Sequence, residues 1–442
     1  MKKNKMTAVK ASWLILSADE VYENHGFLIE DNRISSVVPN ERITGTWDED
    51  GVLDCRGKIV CPGFINAHMH QYGILSRGFP VMGSVTDFDT FLGNYWWPYM
   101  EDRIRFKAVE ITSRASAAEL IHSGVTGLCD TLEAPYCEPD TLIRQGEILE
   151  ELGIRGIVSL ESSQRIDEAN GQFCLSENAR AAQYFKKKQE LVEGAVCTHT
   201  TFTCNDGFIR QAMELAECMD VMYQFHLSES RHEPEKAAFR NMRPAQIYGS
   251  LGVLGPRTLA SQCVKLDSSE ISLLAEKKVK TVHMPISNCE VGGGIAPIVS
   301  MLEAGLTVGL GTDGYINDFF AVMKAAFLIH KAALEKTEVM AASEVFRMAT
   351  EYGAGCLGWK RCGKLTPGFY PDFIVLKDEF LTPVTRENIF DQIVVHGKRD
   401  YVDRVVVNGR ILVDKGILLN MDEEKINAEM REFAKEFREG AV

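Results

Sequence analysis

No apolar run in the chain approaches the roughly 20 residues that a membrane-spanning helix needs. The start, Met1-Lys2-Lys3-Asn4-Lys5, is basic, but the apolar run nearest to it is only Trp13-Leu14-Ile15-Leu16. That is far short of a signal-peptide core. The twelve cysteines include no C-x-x-C pair and follow no regular spacing, so they are expected to stay reduced in the cytoplasm. Basic excess is also missing: 48 Lys and Arg face 62 Asp and Glu, a net charge of −14. That balance argues against a nucleic-acid-binding surface, which carries a basic patch. Repeats, low-complexity segments and flexible linkers are absent as well. What remains, 25% charged and 45% hydrophobic residues, is an ordinary soluble globular composition. Its 442 residues exceed what one core usually serves, which implies a large domain with a smaller one.

Three patterns follow one another along the chain. From Lys10 to Val60 short strands dominate, and Asp31-Asn32 forms a hairpin-like turn between Gly26–Glu30 and Arg33–Val38. After His70, strands alternate with helices. Ile104, Ala108, Ile111, Ala115, Ala118 and Ile121 recur at helical spacing. Apolar runs at 124–130, 154–161, 194–201, 221–226, 257–263, 279–283 and 306–313, with the run ending at His70, give eight strands. Eight βα units in about 300 residues suit a TIM-type barrel, which typically takes ~250. From Lys364 strands return at 372–376, 393–396 and 404–407, the last turning at Asn408-Gly409 into Arg410–Val413. The reading is α/β: a (β/α)8 TIM-type barrel over 61–363 and a small β-sandwich domain built from both ends, 1–60 plus 364–420. A closing helix over 421–442 packs on the body.

Active sites of such barrels lie at the C-terminal ends of the strands. In Pro62-Gly-Phe-Ile-Asn-Ala-His-Met-His70 the two histidines straddle one residue, so on a strand both imidazoles point the same way. Strand 5 ends in His226 and strand 8 in Asp313, within Gly311-Thr312-Asp313-Gly314. Three imidazoles and a carboxylate on one rim make a shell for Zn²⁺ or Fe²⁺ with a position left for water. An ion there lowers the pKa of bound water from 15.7 to about 7.

These segments, with His226-Leu-Ser-Glu229, His283-Met-Pro-Ile-Ser-Asn288, Gly292-Gly-Gly-Ile-Ala-Pro297 and Lys364-Leu-Thr-Pro-Gly368, resemble the amidohydrolase superfamily. Within it they are similar to the branch of cytosine deaminase, methylthioadenosine/adenosylhomocysteine deaminase and triazine chlorohydrolase. The resemblance implies that His68, His70, His226 and Asp313 are the metal ligands. It also implies that Glu229 shuttles a proton between the attacking water and the leaving nitrogen, with Asp313 taking part. Binuclear relatives carry a lysine on strand 4. None stands in 194–201 here, so one ion per chain is expected, zinc first and iron second. A homo-oligomer, a dimer or larger, is implied by the same resemblance.

The chain departs from that pattern at Ser261-Gln262-Cys263-Val264-Lys265, where Gln262 stands in place of the usual water-positioning histidine. Gln262 can orient a water or donate to a substrate oxygen, but it cannot become a cation. For substrate contact the candidates are His199, Trp97 and Arg165. His199 resembles a deaminase segment histidine or is a buried structural one. Trp97, beside Trp96 in the insertion 71–101, stacks on a flat ring or anchors its loop. Arg165 pairs with an oxygen of the substrate or is an ordinary surface arginine. The leading expectation is a deaminase of a small nitrogen heterocycle. Ring opening of a cyclic amide or loss of a halide on the same core is the alternative within enzymes. A metal-binding protein that has lost catalysis, marked by Gln262, is the alternative outside them.

Overall fold

The computed structural model describes residues 5–81, 83–314 and 316–440. The first four residues of the basic start lie outside them. Eight strands form the barrel sheet: β1 (Phe64–Met69), β2 (Val125–Leu132), β3 (Arg155–Ser162), β4 (Val196–Thr198), β5 (Tyr223–Leu227), β6 (Thr258–Gln262), β7 (Lys280–His283) and β8 (Thr307–Leu310). Neighbours pair in parallel in chain order, and a short piece, Val192–Gly194, pairs with β3 ahead of β4. Helices cross over between most of them, the first being the long Phe106–His122. Their starts follow from side-chain oxygens that take up free N–H groups. Asp167, Asn205 and Asp267 each accept from the first turn of the helix that follows.

Closure of the ring falls on the motif that carries the two histidines. His70 N donates to Asp313 O over 3.1 Å, and Asp313 N donates to His68 O over 3.2 Å. Asn66 adds a side-chain staple, accepting from Thr312 N at 3.0 Å and donating to Thr312 Oγ1 at 2.7 Å. Gly311 makes the approach possible, since a Cβ there would stand 2.6 Å from His68 O.

Strands from both chain ends share the second sheet, of nine strands among the described residues, in which Val52–Pro62 pairs with Phe373–Lys377. The sequence pattern there has period 2. Ile59, Cys61, Ile374 and Leu376 pack toward the barrel, while Val60, Phe373 and Val375 fill a separate core with Val9, Leu14 and Phe27. Phe27 and Phe373 have ring centroids 5.4 Å apart. Their strands are three positions apart in the sheet, about 14 Å if it were flat. The sheet therefore curls on itself into a small sandwich. Both two-residue turns read from sequence have the left-handed backbone of hairpin turns: φ is 46° and 60° at Asp31 and Asn32, and 53° and 74° at Asn408 and Gly409.

One strand expectation is overturned. Residues 393–396 are not extended but lie in a helical turn, Gln392–His396, with Ile393 and Val394 buried against the helix Phe319–Leu334. A four-residue apolar run carries no usable period, so packing decided its conformation. The closing helix spans Glu423–Glu439 and buries Ile426, Phe433 and Phe437.

Candidate active site

His68 and His70 leave the end of β1 on one face, His226 stands in β5, and Asp313 follows β8. All four are buried. His226 Nε2 lies 3.4 Å from His70 Nε2. Asp313 Oδ1 lies 3.0 Å from His70 Nε2 and 3.7 Å from His68 Nε2. Ligands held tetrahedrally at about 2.0–2.1 Å from one ion stand about 3.3–3.4 Å apart. Both ring nitrogens of His68 and Nδ1 of His226 are buried without a hydrogen-bond partner, a cost that ligation at Nε2 of His68 would remove. His70 Nδ1 donates to Thr131 O at 2.7 Å, which turns Nε2 toward Asp313 and His226. Burial pulls His68 down to about 3 and lowers His226 as well, so both stay neutral, the form that binds metal. The donor set fits a divalent ion.

The backbone at this rim is unusual. Ser228, Gln262 and Asp313 follow or end three different strands with φ of 50°, 73° and 59°. Left-handed non-glycine residues are costly and gather at functional sites. Around Asp313, Gln262 Nε2 donates to Oδ2 over 3.2 Å, and Ser287 Oγ donates to the same oxygen. These bonds turn Oδ1 to the histidines.

Glu229 lines the cavity above this cluster with His199, Gln262 and Ser287. Burial first, and the negative charge of Asp313 second, push its carboxyl well above the usual carboxylate range. His199 also lines the cavity, with Nδ1 2.9 Å from Thr203 Oγ1. Burial, with the nearby Arg165 charge, draws it down to about 3.

Trp97 and Arg165 are not brought to this wall. Arg165 pairs with Asp102 at 2.7 Å and Glu101 at 3.1 Å, and its guanidinium carbon sits 4.8 Å from the centre of the Trp97 ring. The two residues fasten the insertion to the loop after β3: that is the anchoring reading of Trp97, whereas Arg165, its side chain 12% exposed and ion-paired, is neither at the wall nor an ordinary surface arginine. It is Trp96 that faces the cavity, its Nε1 donating to Tyr72 Oη over 3.0 Å.

Glu101, Glu133, Glu161 and Ser287 were not singled out from sequence. Glu133 follows β2 and Glu161 ends β3 on the same rim, so the strand-end rule applied to every acid would have found both. Glu133 Oε2 accepts from the Tyr72 hydroxyl and lies 3.5 Å from His70 Nδ1. Glu161 Oε2 lies 3.5 Å from His226 Nδ1. With His199 and His226, Glu161 also forms a second cluster of potential ligands.

Comparison with known proteins places the chain in a family. The model of the amidohydrolase family matches residues 59–412. The chain belongs to the amidohydrolase family. This amidohydrolase is 32% identical over 437 residues to 5'-deoxyadenosine deaminase of Methanothermobacter thermautotrophicus, spanning 95% of this chain and 97% of that one. It is 32% identical over 417 residues to 5-methylthioadenosine/S-adenosylhomocysteine deaminase of Carboxydothermus hydrogenoformans, 91% of each chain. Among solved structures, a zinc-bound adenosine deaminase of Xanthomonas campestris superposes with a TM-score of 0.88 at 22% identity, over 98% of this chain and 99% of that one. These relatives of the amidohydrolase are deaminases, hydrolases of carbon–nitrogen bonds other than peptide bonds. Among its described residues no helix is long and apolar enough to cross a membrane.

Proposed function

We propose that this amidohydrolase removes an amino group from a flat nitrogen heterocycle, with His68, His70, His226 and Asp313 holding one divalent ion, zinc in the first instance. The observation that carries the assignment is the spacing of 3.0 to 3.7 Å between Asp313 Oδ1 and the inner nitrogens of His70 and His68. When bound, the ion supplies Lewis acidity that makes a water nucleophilic near neutral pH. Glu229 takes one proton from the attacking water and gives it to the ring nitrogen as the oxygen adds to carbon. It then carries the second, from the hydroxyl of the adduct, to the amine, which leaves as ammonia while the carbonyl forms. A carboxyl raised by burial is matched to accepting and returning a proton. Gln262 and Ser287 hold Asp313 in orientation by their bonds to Oδ2. Phe88, Phe91 and Trp96 supply flat apolar walls on which a ring can stack. The names of the relatives make adenine nucleosides the first compounds to try.

The test is metal analysis of the purified chain together with ammonia release from a panel of aminated heterocycles. Ammonia with the ring intact supports the assignment. A ring-opened acid or a released halide would replace it with a different hydrolysis, and metal without any turnover would favour a protein that has lost catalysis.

A further inference from the structure

Glu161, 8% exposed, stands at the rim end of β3, and neither the ligand set nor the proton shuttle uses it. Its backbone is clamped on both sides. Asn178 Oδ1 accepts from Leu160 N at 2.7 Å, while Nδ2 donates to Leu160 O at 2.7 Å and to Ser162 Oγ at 3.1 Å. The next two strands are keyed to the same place. His199 N donates to Ser162 O over 3.3 Å, and His226 N donates to His199 O over 3.0 Å. A side chain carried on strands held in this way is placed more precisely than one on a loop.

Two buried atoms face each other there. Glu161 Oε2 and His226 Nδ1 both lack a hydrogen-bond partner and stand 3.5 Å apart. The far side of the same imidazole, Nε2, lies 3.4 Å from His70 Nε2. A neutral imidazole that gives one nitrogen to an ion carries its proton on the other. With Nε2 as the ligand atom, the proton of His226 is on Nδ1 and needs an acceptor inside the protein. Thr131 O fills that role for His70. For His226 the oxygen in reach is Oε2 of Glu161.

Glu161 can accept in either protonation state. Burial first, and the charge of Glu133 second, push it up, and the two carboxyls share a hydrogen bond. A carboxylate has two accepting oxygens, and a carboxyl that gives its proton to Glu133 still has one. His199 Nδ1 stands 3.9 Å from Glu161 Oε1 but is engaged with Thr203 Oγ1. With a proton on His226 Nδ1 as well, the cluster of Glu161, His199 and His226 lacks the free donors that a second ion needs.

Resting on the reading of His226 as a metal ligand, we infer that Glu161 is a positioning residue. It accepts the Nδ1 proton of His226 and so fixes the tautomer and the ring plane that present Nε2 to the ion.

Loss of such a partner typically weakens metal binding about 10–100-fold. Zinc affinity of the full chain is measured by competition with a chromogenic chelator. The absorption of the cobalt-substituted protein reports the ligand field, and at saturating cobalt a general loss of stability does not move it. Glu161→Leu, which deletes the acceptor, is expected to weaken zinc by that factor and to alter the cobalt spectrum. Glu161→Gln keeps an accepting oxygen and is expected to recover most of the affinity and the wild-type spectrum. A crystal structure of the zinc-loaded wild type, which needs no variant, is expected to show a Glu161 oxygen within about 3.2 Å of His226 Nδ1. Zinc held equally by the wild type and Glu161→Leu, Glu161→Gln as weak as Glu161→Leu, or Nδ1 of His226 turned to another acceptor overturns the inference. So does a second zinc per chain that Glu161→Leu loses, which would make Glu161 a ligand. A wild-type chain that takes up no zinc overturns the reading of His226 as a ligand, and the inference falls with it.

Discussion

Gln262 Nε2 and Asp313 Oδ2 are 3.2 Å apart, and this contact divides the carboxylate between two tasks. One oxygen is held by Gln262 and Ser287, while the other faces His68 and His70. Partners of this kind orient a ligand, and their loss typically lowers metal affinity 10–100-fold. Gln262→Leu, which keeps the volume and removes the amide, is expected to weaken zinc within that range. Competition with a chromogenic chelator measures it. An unchanged affinity would show that Ser287 alone fixes Asp313.

Glu229 is expected to matter for turnover and hardly at all for metal. Glu229→Gln should keep full zinc content and lose at least about 10²–10⁴-fold in kcat. Its ionised form is the base, so kcat/KM of the wild type should fall as pH drops through a value above the ordinary carboxylate range, following the raised carboxyl. A stability effect follows in metal-stripped protein. Burial raises Glu229 in the folded state, so the contribution of its protonated form is present at low pH and lost as pH rises through the raised value. The Tm of Glu229→Gln should therefore gain on that of the wild type with rising pH. A variant that turns over at the wild-type rate removes Glu229 from the chemistry.

Much of this arrangement is legible in the sequence. The barrel could be read because β-strands with short apolar runs recur between helical stretches, and the rim rule then gathered His68, His70, His226 and Asp313. The orientation of side chains within the insertion 71–101 could not be read. Trp96 and Trp97 are adjacent, and which of them faces the cavity depends on a helical turn, Leu92–Trp96, of five-residue repeat that no local pattern announces. Arg165 was ambiguous for a similar reason, since its partners, Glu101 at the end of that insertion and Asp102 just after it, are more than 60 residues away. Ile393–His396 misled because β-branched residues without a period suit a buried helical turn as well as a strand.

His68 and His226 make the fold itself respond to metal. The unpartnered buried Nε2 of His68 is a deficit in the stripped chain that ligation makes good. Binding that is confined to the folded state stabilises it by about 4 kcal/mol when free zinc is 1,000-fold above Kd. Chelation followed by dialysis should therefore abolish turnover and lower Tm by several degrees, and added zinc should restore both. His68→Ala should abolish the zinc-dependent part of the Tm shift. A stripped chain melting at the same temperature with and without zinc would place the ion elsewhere.

Arg155 and Asp372 tie the barrel to the sheet of the chain ends, far along β3 from the catalytic rim. Arg155 opens β3 and is 9% exposed, and Asp372, just ahead of Phe373–Lys377, is 4% exposed. Arg155 Nη2 reaches Asp372 Oδ1 at 3.2 Å and its Nε bonds the other oxygen. Asn408 N donates to Oδ1 at 2.6 Å, and the Tyr370 ring centre lies 4.2 Å from the guanidinium carbon. Removing one partner of such a buried pair strands a charge, at a cost of about 3–5 kcal/mol. Asp372→Ala is expected to lose that much stability in urea unfolding, while Arg155→Met combined with Asp372→Leu recovers most of it. Because conservation of stability at the N-terminal ends of barrel strands is separable from chemistry at the other ends, kcat of the folded double variant should match the wild type. A double variant as unstable as Asp372→Ala would show that the contacts of Arg155 with Asn408 and the Tyr370 ring, and not the stranded charge, hold the two sheets together.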